Sequence, residues 1–252
     1  MPDQSTQPIE LSVVIPAFNE ALRIGRTLSQ LAAYAEASGQ RIEVLVVDDG
    51  SGDDTADIVK DFTAEHVRVR LVRNEGNRGK GYSVRRGMLE AAAPLVLMSD
   101  ADLSTPMAEW PKLHDCLNSD CEVAIGSRSM PDSVLDPPQR LPRRVLRGMF
   151  AAVRRLLLLR DIRDTQCGFK AFKRGAAQVI FTHQQEEGFA FDCEVLGIAR
   201  RLGYRIAEVG VLWQNDRRST VRPLRDGARM VLALFRIRRR LGRLAPSSRP
   251  AR

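Results

Sequence analysis

The sequence has few cysteines, few aromatic residues and no long apolar run. Its four cysteines form no C-x-x-C pair and no metal-ligand cluster with the three histidines, so we expect reduced thiols and no zinc site. No stretch of about 18 uncharged apolar residues occurs, so no transmembrane helix is predicted. Residues 1–10 are polar and lack the basic and apolar regions of a signal peptide, which predicts a polar tail on a cytoplasmic chain. Aromatics make up 6% of the chain, which argues against a large protein-recognition surface.

Positive charge is concentrated at the C-terminal end. Residues 217–252 hold twelve arginines and one acid, whereas the whole chain carries +8, so the rest of the protein is slightly acidic. A local basic segment suits an anionic surface such as acidic lipid or nucleic acid. No recognition motif or aromatic platform accompanies the arginines, so no nucleic-acid partner is expected. We predict a basic helix and tail over residues 221–252.

Apolar runs and helical spacing alternate through the first hundred residues. Strands are predicted at 11–16, 42–47, 67–72 and 95–98, with helices between them, and a fifth strand at 122–126. Strands separated by helices of this length predict an α/β fold with a mostly parallel central sheet flanked by helices. Such sheets bind ligands at the carboxyl ends of their strands. Three polar turns lie at those ends, at residues 16–20, 48–51 and 100–104.

The sharpest candidate site is Asp100-Ala101-Asp102, directly after the fourth strand. Short acidic pairs often only cap a helix, but the position at a strand's carboxyl end favours a ligand site. Two carboxylates of this kind suit Mg²⁺ or Mn²⁺, which keep open positions for phosphate oxygens.

Two further turns carry candidate binding groups. Asp49 follows Asp48 at the end of the second strand, and two adjacent acids exceed what helix capping needs, so one of them is a candidate for binding a base imide N–H. The loop 77–81, N-R-G-K-G, lacks the P-loop spacing, which disfavours a P-loop nucleotide hydrolase. Lys80 still lies at a predicted helix start, where an anion can bind.

The second half of the chain is less regular. Four prolines predict an extended loop near residues 131–142, followed by a helix over 142–160 with Arg143, Arg147 and Arg154 on one face. A helix from about Cys193 to Leu202, a strand over 206–213 and the arginine-rich final helix complete the prediction. The arginine face and the basic tail are expected to bind an anionic membrane surface; a core-packed helix and a solvated tail are the alternative.

Six motifs together resemble the family 2 inverting glycosyltransferases of GT-A fold. They are V-V-I-P-A-F-N-E (13–20), V-V-D-D-G-S (46–51), N-R-G-K-G (77–81), D-A-D-L (100–103), I-G-S-R (125–128) and D-T-Q-C-G-F-K (164–170). The resemblance covers roughly residues 10 to 220 and is strongest to the dolichyl- or polyprenyl-phosphate hexosyltransferases. It implies one domain over 11–220, with a nucleotide-binding half to 128 and an acceptor half beyond it. The last two motifs weigh against a nucleotidyltransferase.

The resemblance also implies residue roles. Base and ribose would be held by Pro16, Phe18, Glu20, Val47 and Asp49. The nucleotide would bind at Asp100, Ala101 and Asp102, with the metal at Asp100 and Asp102, and Lys80 would lie near the nucleotide. Phosphates would contact Arg128, Lys170 and one of Arg217 or Arg218. Ser104 stands where mannosyl-transferring members have Gln, and residues 215–220 depart from their basic-glycine-serine-lysine element. The D-T-Q-C-G-F-K version favours a UDP-sugar over GDP-mannose.

Asp192 lies where other family members place an acidic base, and a helix-start carboxylate is the alternative interpretation. A prenyl phosphate is already an anion near neutral pH and needs no strong base, unlike a sugar hydroxyl. We therefore expect hexose transfer to a polyprenyl phosphate at the cytosolic membrane face, with a membrane protein as a further candidate partner. The alternative is a soluble or polysaccharide hydroxyl acceptor, for which Asp192 would be indispensable.

Overall fold

The computed structural model describes residues 8–136, 148, 151–214 and 223–245. Its strands are β1 (Leu11–Ala17), β2 (Ile42–Asp48), β3 (Val67–Arg73), β4 (Leu95–Met98), β5 (Val123–Ser127), β6 (Val134–Asp136), β7 (Lys170–Lys173), β8 (Ile206–Gly210) and β9 (Leu212–Gln214). Its helices are α1 (Ala21–Ser38), α2 (Thr55–Asp61), α3 (Lys80–Glu90), α4 (Trp110–Asn118), α5 (residues 151–157), α6 (Arg174–His183), α7 (Phe191–Arg201) and α8 (Pro223–Arg243).

Seven strands form one sheet in the order β3-β2-β1-β4-β7-β5-β8, and β6 pairs with β9 beside it. All pairs in the large sheet are parallel except those that β7 makes with β4 and β5. The predicted mostly parallel sheet flanked by helices is confirmed. Strands from both predicted halves, before and after residue 128, belong to this one sheet.

Helices cover both faces of the sheet because the strand side chains alternate. In β1, Leu11, Val13 and Ile15 pack against α1 and α4, whereas Val14 faces the opposite core. That second core lies under α3, α6 and α7. Gly87 in α3 lies against Val14 and Val47, where a Cβ would collide with their methyl groups. This close approach seats α3 directly on β1 and β2.

Several elements differ from the sequence prediction. Neither β7, α4 nor α6 was predicted, and β6 lies within the segment expected to be an extended loop. The strand predicted over 206–213 is divided at Val211, so that β8 joins the large sheet and β9 the small one.

The predicted helix over 142–160 is described only at residue 148 and as α5, and Arg143 and Arg147 lie outside the described residues. The prediction that Arg154 belongs to an outward arginine face is wrong, because its side chain is 1% exposed. Its guanidinium donates to the carbonyl oxygens of Leu159, Ile162 and Arg163, which lie in the turn after α5. Arg154 therefore holds this turn together.

Candidate active site

Asp49 fixes the loop that precedes α3. Its carboxylate oxygens accept hydrogen bonds from the backbone N–H groups of Arg78 (2.9 Å) and Gly79 (2.7 Å), and from the Asn74 amide (2.8 Å). Asp49 is 3% exposed, so these bonds are shielded from water. The structure thus places Asp49 beneath the loop of Lys80, at the end of β2, with at most one acceptor position left for a ligand.

Lys80 reaches from this loop to the end of β4. Its Nζ lies 2.6 Å from an Asp100 carboxylate oxygen, and both side chains are partly exposed. Burial pushes the pKa of Asp100 up, but Lys80, with Lys170 and Arg128 nearby, holds it below its usual value. Burial lowers the pKa of Lys80, and the charges of Asp100 and Asp192 outweigh that effect and raise it. Both groups of the pair are therefore charged near neutral pH.

Asp102 lies two residues further, and Ser104 N donates to it at 3.0 Å. Burial and the adjacent charge of Asp100 raise the pKa of Asp102. The two carboxylates repel each other, and a bound cation would relieve that repulsion. A Cβ at Gly168 would collide with the Asp100 carboxylate, so only a glycine leaves this carboxylate its position.

A second lysine–carboxylate pair lies behind the first. Lys170, on β7, is fully buried, and its Nζ lies 2.6 Å from Asp192 Oδ1 at the start of α7. Lys170 also donates to the carbonyl oxygen of Cys167. Burial raises the pKa of Asp192, and the charges of Lys170 and Lys80 oppose this without cancelling it. The predicted site residues Lys80, Asp100, Lys170 and Asp192 therefore form one cluster of alternating charge.

Arg128 borders this cluster and is held by a partner to which the sequence analysis gave no role. Its guanidinium makes two hydrogen bonds to Asp164, at 2.7 and 2.9 Å, and Arg128 N donates a third at 3.0 Å. Burial acts to raise the pKa of Asp164, but the guanidinium holds it well below its usual range. Arg128 also lies over the Trp213 ring, 5.4 Å from its centroid. An arginine held on one side by a carboxylate and an indole can present its remaining N–H groups to an anion.

The turn after β1 forms the other wall. Asn19 has a positive φ of 55°, and its backbone N–H and side-chain oxygen bond Ser51 and Gly52 across the turn. Glu20 is paired with Arg23 at 2.6 Å; burial raises its pKa, and the charges of Asp102 and Asp100 add to this. Phe18 is 43% exposed at this edge, and Pro16 is partly buried.

Two predicted binding residues, Val47 and Ala101, turn their side chains away from this cluster. Val47 is fully buried under α3, and Ala101 packs in the opposite core while its carbonyl accepts from Thr27. Interior strand positions turn β-branched side chains into the core, so Val47 contributes packing. Arg217 and Arg218 lie outside the described residues.

Asp164, Gly168 and Asn74 were missed because their roles depend on tertiary approach. Asp164 and Gly168 stand in the quoted D-T-Q-C-G-F-K motif, which was the available signal. No local pattern relates Asp164 to a partner 36 positions away or Gly168 to Asp100.

A cavity of about 590 Å³ opens beside Asp102. It lies between α1 and residues 102–108, with the small sheet at its far side, and is lined among others by Arg23, Arg26, Gln30, Tyr34, Asp136 and Gln214. Within the described part of the chain, no group of three or more His, Cys, Asp or Glu side chains could hold a metal unaided. Any cation at Asp100 and Asp102 would need ligand oxygens from a substrate or water.

The fold, with its cluster of charged residues at the carboxyl edge of the sheet, defines the class of protein. Over 95% of this chain and 80% of the other, the structure is similar to glucosyl-3-phosphoglycerate synthase from Mycobacterium tuberculosis in complex with Mn²⁺, UDP and phosphoglyceric acid, with a TM-score of 0.67 and 22% identity. At this identity the likeness shows the fold, which is the GT-A fold of glycosyltransferases.

Sequence relatives then give the family. Residues 12–181 match glycosyl transferase family 2. Dolichyl-phosphate beta-glucosyltransferase from Drosophila melanogaster is 35% identical, over 93% of this chain and 76% of its own length. The protein of that name from Dictyostelium discoideum is 34% identical, over 91% and 74%. The chain belongs to glycosyl transferase family 2 and is a glycosyltransferase, which confirms the predicted family.

Proposed function

We propose that this enzyme transfers glucose from a UDP-sugar, in preference to GDP-mannose, to a polyprenyl phosphate with inversion at the sugar carbon. The observation that carries the proposal is the cluster of Lys80, Asp100, Asp102, Lys170 and Asp192 at the carboxyl edge of a family 2 sheet. The names of the relatives, dolichyl-phosphate beta-glucosyltransferases, support the sugar and the acceptor class. An α-linked nucleotide glucose gives a β product only by inversion.

The residues present fit a divalent cation, Mg²⁺ or Mn²⁺. Asp100 and Asp102 supply two carboxylates that repel each other, and the absence of a third protein ligand among the described residues leaves positions for diphosphate oxygens. When bound, the metal would neutralise charge on the departing nucleoside diphosphate. The Mn²⁺ and UDP in the complex of the mycobacterial synthase support this choice of ligands.

The protein's own cations would share this task. Lys80 lies next to Asp100 and at the start of α3, so it can turn toward a donor phosphate without leaving the cluster. Arg128, oriented by Asp164, would contact a second phosphate group. Glu20, Phe18 and Pro16 would border the nucleoside, and Asp49 would act there through the loop that it holds and through its remaining acceptor position.

Transfer itself needs one bond formed and one broken. A phosphate oxygen of the acceptor attacks C1 of the sugar, the C1–oxygen bond to the nucleoside diphosphate breaks, and the electron pair leaves with the diphosphate. Asp192 is ion-paired with Lys170 at 2.6 Å, an arrangement that favours holding charge in place over accepting a proton. No base is needed, because a prenyl phosphate is already an anion.

The acceptor implies a membrane surface. Among the residues that the structure describes, no helix is long and apolar enough to cross a bilayer. We assign recruitment to α8, whose outer face carries the exposed Leu232 and Phe235 beside exposed arginines. An amphipathic helix of this composition lies in a lipid interface.

The test is transfer from UDP-glucose, UDP-galactose or GDP-mannose to polyprenyl phosphate, with and without EDTA. We expect UDP-glucose to be used and EDTA to abolish transfer. Asp102→Ala should lose orders of magnitude in turnover while circular dichroism stays native. Asp57→Ala, an exposed acid on α2, is the matched control and should keep full activity. Native activity in EDTA would remove the metal from the proposal.

The burial and raised pKa of Asp192 favour one second candidate, a transferase acting on a hydroxyl acceptor with Asp192 as base. The two functions differ in Asp192→Asn. Transfer to polyprenyl phosphate should survive in this variant, whereas a hydroxyl acceptor would lose its base. Three results together would establish the second candidate function: no transfer to polyprenyl phosphate, transfer to a soluble hydroxyl acceptor, and loss of that transfer in Asp192→Asn.

A further inference from the structure

Glu194 is a buried carboxylate, two residues beyond Asp192, that the proposed chemistry does not use. It is 1% exposed. Its Oε2 accepts hydrogen bonds from the backbone N–H groups of Gln185 at 2.8 Å and Glu186 at 2.6 Å. Its Oε1 accepts from the Arg240 guanidinium of α8 at 3.2 Å. One turn earlier on α8, Arg236 lies 3.5 Å from the Glu186 carboxylate. Glu194 therefore joins α7 and α8 to the segment 184–188. We name residues 184–188 the strut.

The strut lies directly on the start of α3. The carbonyl oxygen of Glu187 accepts from Gly81 N at 2.7 Å, and the Gln184 amide donates to the carbonyl oxygen of Gly81 at 3.0 Å. A Cβ at Gly79 or Gly81 would collide with strut backbone, which explains glycine at both positions. Lys80 stands between these two glycines.

The loop 77–81 is thus held from two sides. Asp49 binds the N–H groups of Arg78 and Gly79 from the sheet, and the strut binds Gly81 from the α7 side. The position of the Lys80 backbone follows from both supports. The support from the sheet is a buried carboxylate, whereas the strut depends on Glu194 and on an α8 arginine that is partly exposed.

We propose that Glu194 and Arg240 are positioning residues for Lys80, acting through the strut, so that α8 helps to set the donor-phosphate loop. The structural arm, that these residues support the loop 77–81, is independent of the enzyme's activity. The kinetic arm, that this support matters for use of the nucleotide sugar, rests on the proposed function. Docking of α8 and the geometry of the loop are then linked properties of one network.

Hydrogen exchange tests the structural arm without any assay of activity. In Arg240→Met, peptides covering 78–84 and 184–188 should exchange about tenfold faster, because the strut loses one support. Arg239→Met is the matched control, since Arg239 is exposed on the same helix, and it should leave both peptides unchanged. Arg240→Lys keeps the charge and should recover most of the protection. Unchanged exchange at 78–84 in both Arg240→Met and Glu194→Gln overturns the proposal.

A double-mutant cycle tests the kinetic arm. Arg240→Met should lower kcat/KM for the nucleotide sugar about tenfold, within the roughly hundredfold that a 1 Å misplacement can cost. In a Lys80→Met background, the same change should have no further kinetic effect while it lowers Tm by the same amount as before. Equal kinetic losses in both backgrounds would give Arg240 a merely structural role and overturn the proposal. If the wild type showed no transfer but the variants gave the expected hydrogen-exchange differences, only the proposed function would be removed.

Discussion

At the scale of single residues, the site is built from charges that neutralise one another. Lys80 and Lys170 each contact one carboxylate and lie near a second, and Arg128 is held by Asp164. Removing one partner of a buried pair leaves an uncompensated charge, which costs more than the pair contributes. Substitutions here therefore change stability as well as chemistry, and each test must separate the two.

The first prediction concerns Asp49. Asp49→Asn keeps the size of the side chain but points an amide N–H₂ at backbone N–H donors, so the loop of Lys80 loses an acceptor. We expect UDP to bind more weakly by about 1–3 kcal/mol, the cost of an unsatisfied buried group. Calorimetric titration with UDP and GDP measures this, with Asp57→Asn on the surface of α2 as the control. Unchanged affinity for both nucleotides would take Asp49 out of the donor site.

The second prediction concerns pH and Asp164. Because the folded-state pKa of Asp164 is depressed, its stabilisation is complete above the unfolded value of about 4 and is lost as pH falls toward the folded pKa. Asp164→Asn should therefore destabilise the protein by about 3–5 kcal/mol at pH 7, since it leaves the largely buried Arg128 guanidinium without its carboxylate partner. The difference from wild type should shrink as pH falls below about 4.

Urea unfolding of both proteins from pH 7 to pH 3 measures this difference. Asp120→Asn is the control, because Asp120 pairs with Arg205 on the exposed surface, and its unfolding midpoint should stay at the wild-type value. A difference between Asp164→Asn and wild type that is independent of pH would contradict the assigned role.

At the scale of elements, the sequence predicted the alternating strands and helices of the first half of the chain and missed the short antiparallel strand β7. The parallel strands β1 to β4 follow from apolar runs, and their carboxyl ends predicted Asp49, Asp100 and Asp102 at one edge. Lys80 was predicted from its place at the start of a helix. The strand β7 has four residues, runs antiparallel between β4 and β5, and brings Lys170 into the cluster. Its sequence, Lys-Ala-Phe-Lys, lacks the apolar run that marks the equally short β4, and its pairing partners are distant in sequence. The position of Lys170 beside Asp192 could therefore come only from resemblance or from structure.

Helix α5 provides the third prediction. Projection on a helical wheel grouped Arg154 with outward arginines. A wheel shows only the helix itself, and not the carbonyl oxygens of Leu159, Ile162 and Arg163 beyond its end, which accept hydrogen bonds from this guanidinium. Arg154→Met should cost about 2–4 kcal/mol of unfolding free energy, because those buried carbonyls lose their partner. Arg155→Met, on the exposed face, should stay within about 0.5 kcal/mol of wild type. Equal unfolding free energies for the two variants would show that Arg154 does not hold the turn.

At the scale of the whole molecule, α8 has one face packed in a hydrophobic core and an opposite face that carries positive charge. Its inner face buries Ala233, Leu234 and Ile237 against residues of α7, and its outer face exposes Leu232 and Phe235 among arginines. Deleting the C-terminal segment would therefore strip a core as well as a charged surface. Substitutions on the outer face are the sharper test of membrane binding, because they leave the packing of α8 on α7 in place.

The fourth prediction is that this face binds anionic bilayers reversibly. Basic residues near such a surface contribute about 1 kcal/mol each, and exposed charges are screened within a Debye length of about 8 Å at physiological salt. Flotation with vesicles containing phosphatidylserine should show binding that falls as salt rises. It should fall further in Arg238→Gln/Arg239→Gln and in Leu232→Ser/Phe235→Ser, because one pair supplies attraction and the other inserts. Val179→Ser, an exposed apolar residue on α6, should float like wild type. Binding that is insensitive to salt and to both pairs of substitutions would place the membrane contact elsewhere on the protein.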